Sequence, residues 1–250
     1  MLFFLSNFGK TGTFEATLRV DDKVPELFNP VTGQIRKWAR FKSVEDGTRV
    51  MLHVADRSDS FFVVFRDKPT QPSVVGASAS PAVLELFYDH RNQLTAESAK
   101  AGTYDLAMSD GTRRQVRIEE DAKTFAIDTP WQTVERDHDG YSLLLETKFE
   151  LPAGFGRGQR IKLDLGKVSV MAGVTLNGKA FDTLWMPPFV LDVTDVVKSG
   201  ANRLRVRVTS TSNSKPRLGE TVLLRTTTRT TIAAHSEETA RRTGGRKKPM

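Results

Sequence analysis

Cysteine is absent from the 250-residue sequence, which excludes disulfide bonds, thiol nucleophiles and thiolate metal sites. Long apolar runs are absent too, since no stretch approaches the roughly 20 residues that a membrane-spanning helix requires. The N-terminal run "MLFFL" has five residues and no preceding basic residue, so it is too short for the core of a secretory signal peptide. We therefore expect no membrane partner and no export signal in this sequence.

Motifs for nucleophilic or metal-assisted catalysis are also missing. There is no G-x-S-x-G elbow and no S-x-x-K in a helical segment. None of the histidines forms an H-x-x-x-H or H-E-x-x-H pair, so no metal site and no cofactor are expected. His90 and His138 neighbour aspartates, which favours turns over catalysis at both positions. The four histidines are His53, His90, His138 and His235.

Carboxylates are numerous, but no pair stands out. Glycoside hydrolysis needs two Asp or Glu groups roughly 5–10 Å apart across a cleft. Most of the acidic residues here alternate with apolar residues and are therefore expected on the solvent face of a strand. The sequence predicts no catalytic residue. The acidic candidates are Glu85, Asp105, Glu146, Glu150, Asp164 and Asp192.

Positive charge is concentrated at the C-terminal end. Residues 215–250 contain nine Lys or Arg and three Glu, which accounts for +6 of the net charge of +7. The rest of the chain is close to neutral, so we expect no nucleic-acid partner. The closing "GGRKKPM" is interpreted as a solvated, charged terminus.

The patterned segments have the alternating period of β-strands almost throughout. In "TFEATLRV" and "TRVMLHV" every second residue is apolar, and turns rich in Gly, Asp, Asn and Pro separate such segments. From residue 124 the strand patterns follow one another at the turn spacing of about 8–12 residues that is typical of a β-sandwich or jelly roll. The sequence therefore predicts an all-β protein.

Composition divides the chain into five parts. Residues 1–67 are predicted to form short antiparallel strands, a β-sandwich remnant, and the Pro- and Ser-rich residues 68–82 a linker. Residues 83–123 connect them to the next part through a segment that fits helix or strand, and then a hairpin with a two-residue Asp-Gly loop in "SDGT". Residues 124–221 are predicted to be a second sandwich, and the Thr- and Arg-rich residues 222–250 to be disordered.

Two blocks of sequence resemble a known enzyme family. Residues 24–66 contain "PELFNPVTG", a strand pair and "SFFVVF", and are similar to the region after the catalytic barrel in glycoside hydrolase family 106, the α-L-rhamnosidases. Phe28 and Asn29 replace the Trp and Asp of that pattern. Residues 174–208 combine an Asn-Gly hairpin, an aromatic loop, "PF", "DVT" and a G-x-N-x-L-x-V-x-V strand. This block resembles the sugar-binding-like jelly roll of families 2 and 106.

The resemblance covers roughly residues 1–220 and implies two β-sandwich domains, the second a galactose-binding-like jelly roll. In the family the catalytic module precedes the first block. The resemblance therefore implies an accessory, non-catalytic part of a rhamnosidase-like hydrolase that acts on plant-type polysaccharide. The expected partner is a catalytic module encoded upstream. A split or frameshifted reading frame would separate such a module from this chain. The family is typically periplasmic or extracellular.

A second hypothesis is a free-standing carbohydrate-binding module. Trp185 would be the aromatic platform, with Asn177 and Arg217 as polar partners. The alternative for Trp185 is packing against a neighbouring module. Phe189, which starts the next strand, is expected to point into the core, and Trp131 is predicted to be a core residue.

Overall fold

A computed structural model describes residues 1–6, 9–54, 60–211 and 215–233. Every regular element in these ranges is a β-strand, so the predicted all-β class is confirmed. No helix among them is long and apolar enough to cross a membrane. Paired strands run antiparallel, as the alternating sequence pattern predicts.

The strand bounds, in chain order, are as follows for the described residues. The first half contains β1 (Leu2–Ser6), β2 (Gly12–Leu18), β3 (Pro25–Phe28), β4 (Ile35–Trp38), β5 (Phe41–Val44), β6 (Gly47–Val54), β7 (Ser60–Phe65), β8 (Val74–Ala77), β9 (Leu84–Tyr88), β10 (Leu94–Ser98), β11 (Gly102–Met108) and β12 (Arg113–Ile118). The second half contains β13 (Thr124–Ala126), β14 (Gln132–Arg136), β15 (Ser142–Leu151), β16 (Arg160–Asp164), β17 (Met171–Leu176), β18 (Lys179–Ala180), β19 (Val190–Asp192), β20 (Gly200–Thr209) and β21 (Leu223–Thr231).

One extended sheet runs through both halves of the chain. Its strands lie in the order β1-β7-β3-β4-β9-β10-β21-β16-β19, and β13 pairs with β21 beside that path. Three smaller sheets provide the facing layers: β2-β6-β5, β12-β11-β8 and β14-β15-β20-β17-β18. Side chains from the extended sheet and the smaller sheets meet in two hydrophobic cores, which gives a sandwich-like arrangement.

The first core joins parts that the sequence pattern separates. Its buried side chains run from Leu18 to Ile118 and include Ile232. Within the predicted linker, β8 pairs with β11, and Val74 is 3% exposed in this core. The predicted linker is therefore wrong, because its prolines and small residues flank a short strand whose first residue is buried. The parts that contribute to this core are 1–67, 68–82, 83–123 and, through Ile232, 222–250.

The second core contains buried side chains from Ile127 to Leu224. Its longest strand pair is β15 with β20, which stay in register from Ser142↔Thr209 to Leu151↔Gly200. Inward-facing Leu204, Val206 and Val208 alternate with arginines along β20, as the sequence pattern predicts. Trp131 is partly buried and packs against this core.

The predicted C-terminal tail begins with a strand, so its boundary at 222 is wrong. β21 pairs with β10 at its C-terminal end and with β16 and β13 at its N-terminal end. Leu224 and Thr226 are both 0% exposed. Composition misled the prediction because threonine is polar yet β-branched, and β-branched side chains favour strands. Residues 234–250 of the predicted tail lie outside the described residues.

Turn chemistry settles two local questions. The segment that fits helix or strand forms β9 and β10, and in the turn between them Asp89 Oδ1 accepts from the Gln93 N–H at 2.8 Å. The "SDGT" hairpin forms from β11 and β12, but its loop is longer than two residues. The Met108 N–H donates to the Thr112 carbonyl, while Asp110 Oδ1 accepts from the Thr112 N–H. This side-chain bond favours a wider turn than the predicted one.

Candidate functional site

The loop between β18 and β19 presents Trp185 at the surface. Leu184, just before it, is 1% exposed and forms a β-bridge with Ala172. Phe189, just after the cis Pro187–Pro188 peptide, is buried in the second core as expected. Trp185 itself is 51% exposed. Core residues thus fix both ends of the loop while the indole ring stays open to solvent.

Arg217 lies at the same end of the second sandwich. Its backbone N–H donates to Ser169 Oγ at 2.7 Å, and its carbonyl accepts from the Ser169 N–H at 3.1 Å. Ser169 is three residues before Ala172, to which the Trp185 loop is bridged. The Trp185 loop and the Arg217 segment therefore both contact the chain near the start of β17. The Arg217 side chain is exposed there.

Asn177 lies at the opposite end of β17. Five residue steps separate Ala172 from Asn177, which corresponds to about 16 Å at roughly 3.3 Å per residue of strand. A sugar ring stacked on Trp185 is therefore out of reach of the Asn177 side chain. The structure brings Trp185 and Arg217 to one end of the sandwich and places Asn177 at the other.

The Asn177 amide is also occupied within the protein. Its Nδ2 donates to the Val196 carbonyl at 2.9 Å and to Asn202 Oδ1 at 2.8 Å, and its Oδ1 accepts from the Arg203 N–H at 3.0 Å. Asn177 and Gly178 have φ of 50° and 87°, as a two-residue hairpin loop requires. Asn177 is therefore a turn residue in this structure, and its predicted contact with sugar stays a prediction.

We expect Asn177→Ala to lower the free energy of unfolding by about 1–3 kcal/mol, because alanine makes none of these hydrogen bonds and disfavours a left-handed backbone. Asn177→Gly keeps the backbone freedom and should lose less. Urea unfolding of both variants measures the difference. A variant that lost sugar affinity without any loss of stability would contradict the structural role.

Two of the acidic candidates, Glu146 and Asp192, have a lowered pKa and accept hydrogen bonds from arginines. Glu146 accepts from Arg203 and Arg205 at 2.8 and 2.6 Å, and these hydrogen bonds lower its pKa to about 2. Asp192 Oδ2 accepts from Arg160 Nε and Nη2 at 3.0 and 2.6 Å. Burial raises the pKa of Asp192, yet its hydrogen bonds outweigh burial and the net shift is downward. A glycosidase general acid needs the opposite shift.

The other acidic candidates are also dispersed. Among the residues that the structure describes, no two of the six candidates form a carboxylate pair that is free of other partners. Glu85 pairs with Arg36, Asp164 with Arg225 at 3.4 Å, Asp105 accepts from Gln115 at 2.7 Å, and Glu150 is exposed on β15.

The histidines are scattered as well. Within the described ranges, no group of three or more His, Cys, Asp or Glu could hold a metal ion. His90 and His138 lie in turns, as predicted, and His53 is half-buried in β6. His235 lies outside the described residues.

Glu97, on β10, is a buried carboxylate that the sequence did not single out. It is 3% exposed, and its Oε1 lies 2.8 Å from both Lys162 Nζ and the Thr227 hydroxyl. Its Oε2 lies 2.7 Å from Arg229 Nη2 and 3.7 Å from Arg36 Nη2. Because these partners belong to β4, β16 and β21, the carboxylate joins the two sandwiches.

Electrostatics keep Glu97 ionised. Burial alone would raise its pKa, but Lys162 and Arg36 outweigh burial and hold the pKa well below its usual range. The group therefore carries no proton to donate near neutral pH and acts as a structural anion. The neighbouring sequence "LTAES" gives no sign of this role, because Arg229 is 132 residues away along the chain.

Comparison with known proteins finds similar folds in solved structures of glycosidases. No family model matches the sequence. The rhamnosidase of Novosphingobium sp. PP1Y is similar over 90% of this chain and 22% of its own, with a TM-score of 0.56 and 22% identity. A β-glucuronidase of Ruminococcus gnavus is similar over 53% of this chain and 29% of its own, with a TM-score of 0.30 and 18% identity.

A curated relative matches a short part of the sequence. The relative is a Formosa agariphila protein provisionally named a beta-glucuronidase. It is 57% identical over 51 residues, which is 20% of this chain and 4% of that protein. The chain thus spans 4% of that relative and 22% of the rhamnosidase. At 22% identity, the rhamnosidase likeness shows the fold of nearly the whole chain.

Proposed function

We propose that this chain is an accessory, non-catalytic β-sandwich part of a rhamnosidase-like glycoside hydrolase of family 106. The observation that carries the proposal is the fold shared with the Novosphingobium rhamnosidase over 90% of this chain but 22% of that one. The sequence resemblance of residues 24–66 and 174–208 supports the same family. The arginine-paired carboxylates and their lowered pKa values support a role without catalysis.

The first strand supports attachment to a further part of such an enzyme. In the described part of the chain β1 is the edge of the extended sheet, with β7 as its neighbour. Leu2 and Phe4 on this strand are 60% and 56% exposed. Exposed apolar side chains on an edge strand favour cover by another polypeptide segment. We propose that the catalytic module supplies that cover, and that the second sandwich is the galactose-binding-like jelly roll.

An activity assay and the gene context test this proposal. The purified chain is expected to release no p-nitrophenol from an aryl α-L-rhamnoside above the enzyme-free rate. The DNA upstream is expected to encode a (β/α)8 barrel. Rhamnoside cleavage by the chain itself, or an upstream region without a barrel, would each refute the proposal.

Sugar binding at the Trp185 loop is the second candidate function. It is favoured by the half-exposed indole of Trp185 and by the position of Arg217 at the same end of the sandwich. An aromatic face with a nearby cationic donor suits a sugar ring, which has an apolar face and peripheral hydroxyl groups. The two functions are compatible, since an accessory domain can hold a polysaccharide near a catalytic module.

We expect Trp185→Ala to weaken binding of rhamnose-containing pectic oligosaccharides by roughly tenfold. Loss of the stacked ring removes about 1.4 kcal/mol of binding free energy, which corresponds to that factor. Trp185→Phe keeps an aromatic face and should retain most of the affinity. Titration followed by tryptophan fluorescence reports on this ring, because Trp38 is buried and Trp131 partly buried. The absence of any change in the wild-type chain at millimolar sugar would exclude the site.

A further inference from the structure

Arg40 is a buried cation in the first core. It follows β4 and is 4% exposed. Its backbone is fixed on both sides, because its carbonyl accepts from the Met51 N–H at 3.2 Å and the preceding Ala39 donates to the Leu86 carbonyl at 3.1 Å. The side chain therefore begins inside the sandwich.

The guanidinium has more donors than partners. Of its five N–H groups, Nη2 donates to the Ala79 carbonyl at 2.7 Å and Nη1 contacts Met51 Sδ at 3.8 Å. Nε is buried without a hydrogen-bond partner in the described part of the chain. Burial lowers the pKa of Arg40 to about 10, with no carboxylate acting against that shift. A carbonyl and a thioether are neutral, so they do not offset the cost of burying a full charge.

Arg40 also lines a cavity. The cavity has a volume of about 280 Å³ and lies between the β2-β6-β5 sheet and residues 74–81. Much of its wall is apolar, as at Phe41, while Lys42 and Arg49 add further positive charge. Its size is near the lower end of small-molecule sites, roughly 300–1,000 Å³. The cavity therefore combines an unpaired buried cation with room for a small ligand.

We propose that this cavity binds a small carboxylate-bearing molecule and that Arg40 is its charged recognition group. A carboxylate brings one negative charge and two oxygens, which match the donors of a single planar guanidinium. A phosphate brings more charge and more acceptor atoms than one guanidinium can pair with. Glu15, also on the wall, lies 3.7 Å from Arg49, so that cation already has an acidic neighbour. The proposal is independent of the function proposed above.

Thermal unfolding of the full chain tests the proposal with a matched pair of probes. Sodium glucuronate and glucose share a ring size and differ in the carboxylate. At several times its Kd, glucuronate is expected to raise Tm by about 2–4 °C relative to equal sodium chloride, and glucose to leave Tm unchanged. Equal shifts from both sugars, no shift from glucuronate, or an equal shift from inorganic phosphate would each overturn the proposal.

Substitutions assign the effect to Arg40. Arg40→Met removes a buried charge that has no acidic partner, which offsets the loss of the hydrogen bond to the Ala79 carbonyl, so its Tm without ligand should be close to that of the wild type. The glucuronate shift should disappear in this variant. It should persist in Arg49→Met, which alters a more exposed cation on the same wall. A shift retained by Arg40→Met, or lost equally in Arg49→Met, would refute the role of Arg40.

A conservative variant keeps the test decisive if Arg40→Met does not fold. Arg40→Lys retains the charge but lacks the planar fork. Calorimetric titration with glucuronate is then expected to give an affinity at least about tenfold below that of the wild type. Unchanged affinity in Arg40→Lys would contradict recognition by the guanidinium.

Discussion

A chain that ends at Thr221 is expected to lose cooperative folding, whereas a chain that ends at Ala233 is expected to keep it. The shorter chain lacks β21, which contributes Leu224, 0% exposed, to the second core and is followed by Ile232, 7% exposed, in the first. Its loss also leaves β10 and β16 without their shared neighbour in the extended sheet. The free-energy cost of unpaired strand edges and two opened cores together exceeds the marginal stability of a typical domain.

Calorimetry and near-ultraviolet circular dichroism of the two shortened chains provide the measurement. The chain that ends at Ala233 retains every strand of the described structure and should melt within a few degrees of the full chain. The chain that ends at Thr221 should show no cooperative transition. Similar melting of both would mean that β21 is dispensable and would support the boundary at 222 that the composition suggests.

Glu97→Gln is expected to lower the free energy of unfolding by roughly 3–5 kcal/mol, the usual cost of removing one partner from a buried ion cluster. The substitution leaves Lys162 and Arg229 partly desolvated without their common anion. Glu135→Gln is the matched control, because Glu135 pairs with Arg207 on an exposed surface, where such pairs contribute about 0–1 kcal/mol. Denaturant unfolding at neutral pH measures both variants.

The pH dependence of Glu97→Gln gives an independent check. The pKa of Glu97 is lower in the folded chain than its unfolded value of about 4.3. Its stabilisation is therefore present above that unfolded pKa and declines as pH falls toward the folded value. The difference between the wild type and Glu97→Gln should narrow in acid. A difference below about 1 kcal/mol at neutral pH would show that the cluster contributes little.

Local patterns are sufficient to predict most of the strands. Alternation places Leu204, Val206 and Val208 in one core, and the Asn-Gly pair correctly predicts a hairpin at Asn177 and Gly178. These features depend on residues that are close together in the sequence. The all-β class could be predicted for the same reason.

Contacts between distant residues account for what the sequence could not predict. Thr226 is buried because β21 lies between β10 and β16, although its own neighbours are polar. Asn177 and Trp185 are eight positions apart in sequence yet lie at opposite ends of a strand. The role of Glu97 depends on Arg229, 132 residues later, so its local sequence carries no sign of it.

The separation of β10 and β21 along the chain also determines when the first core can be completed during synthesis. Ile118 closes the part of the first core that is made early, and Ile232 is added 114 residues later. At about 5–20 residues per second, a ribosome needs roughly 6–23 s to cover that distance. During this interval the nascent chain exposes the backbone edge of β10, and Glu97 lacks its partners Thr227 and Arg229. The yield of folded protein should therefore depend on translation speed and on chaperones that shield that edge.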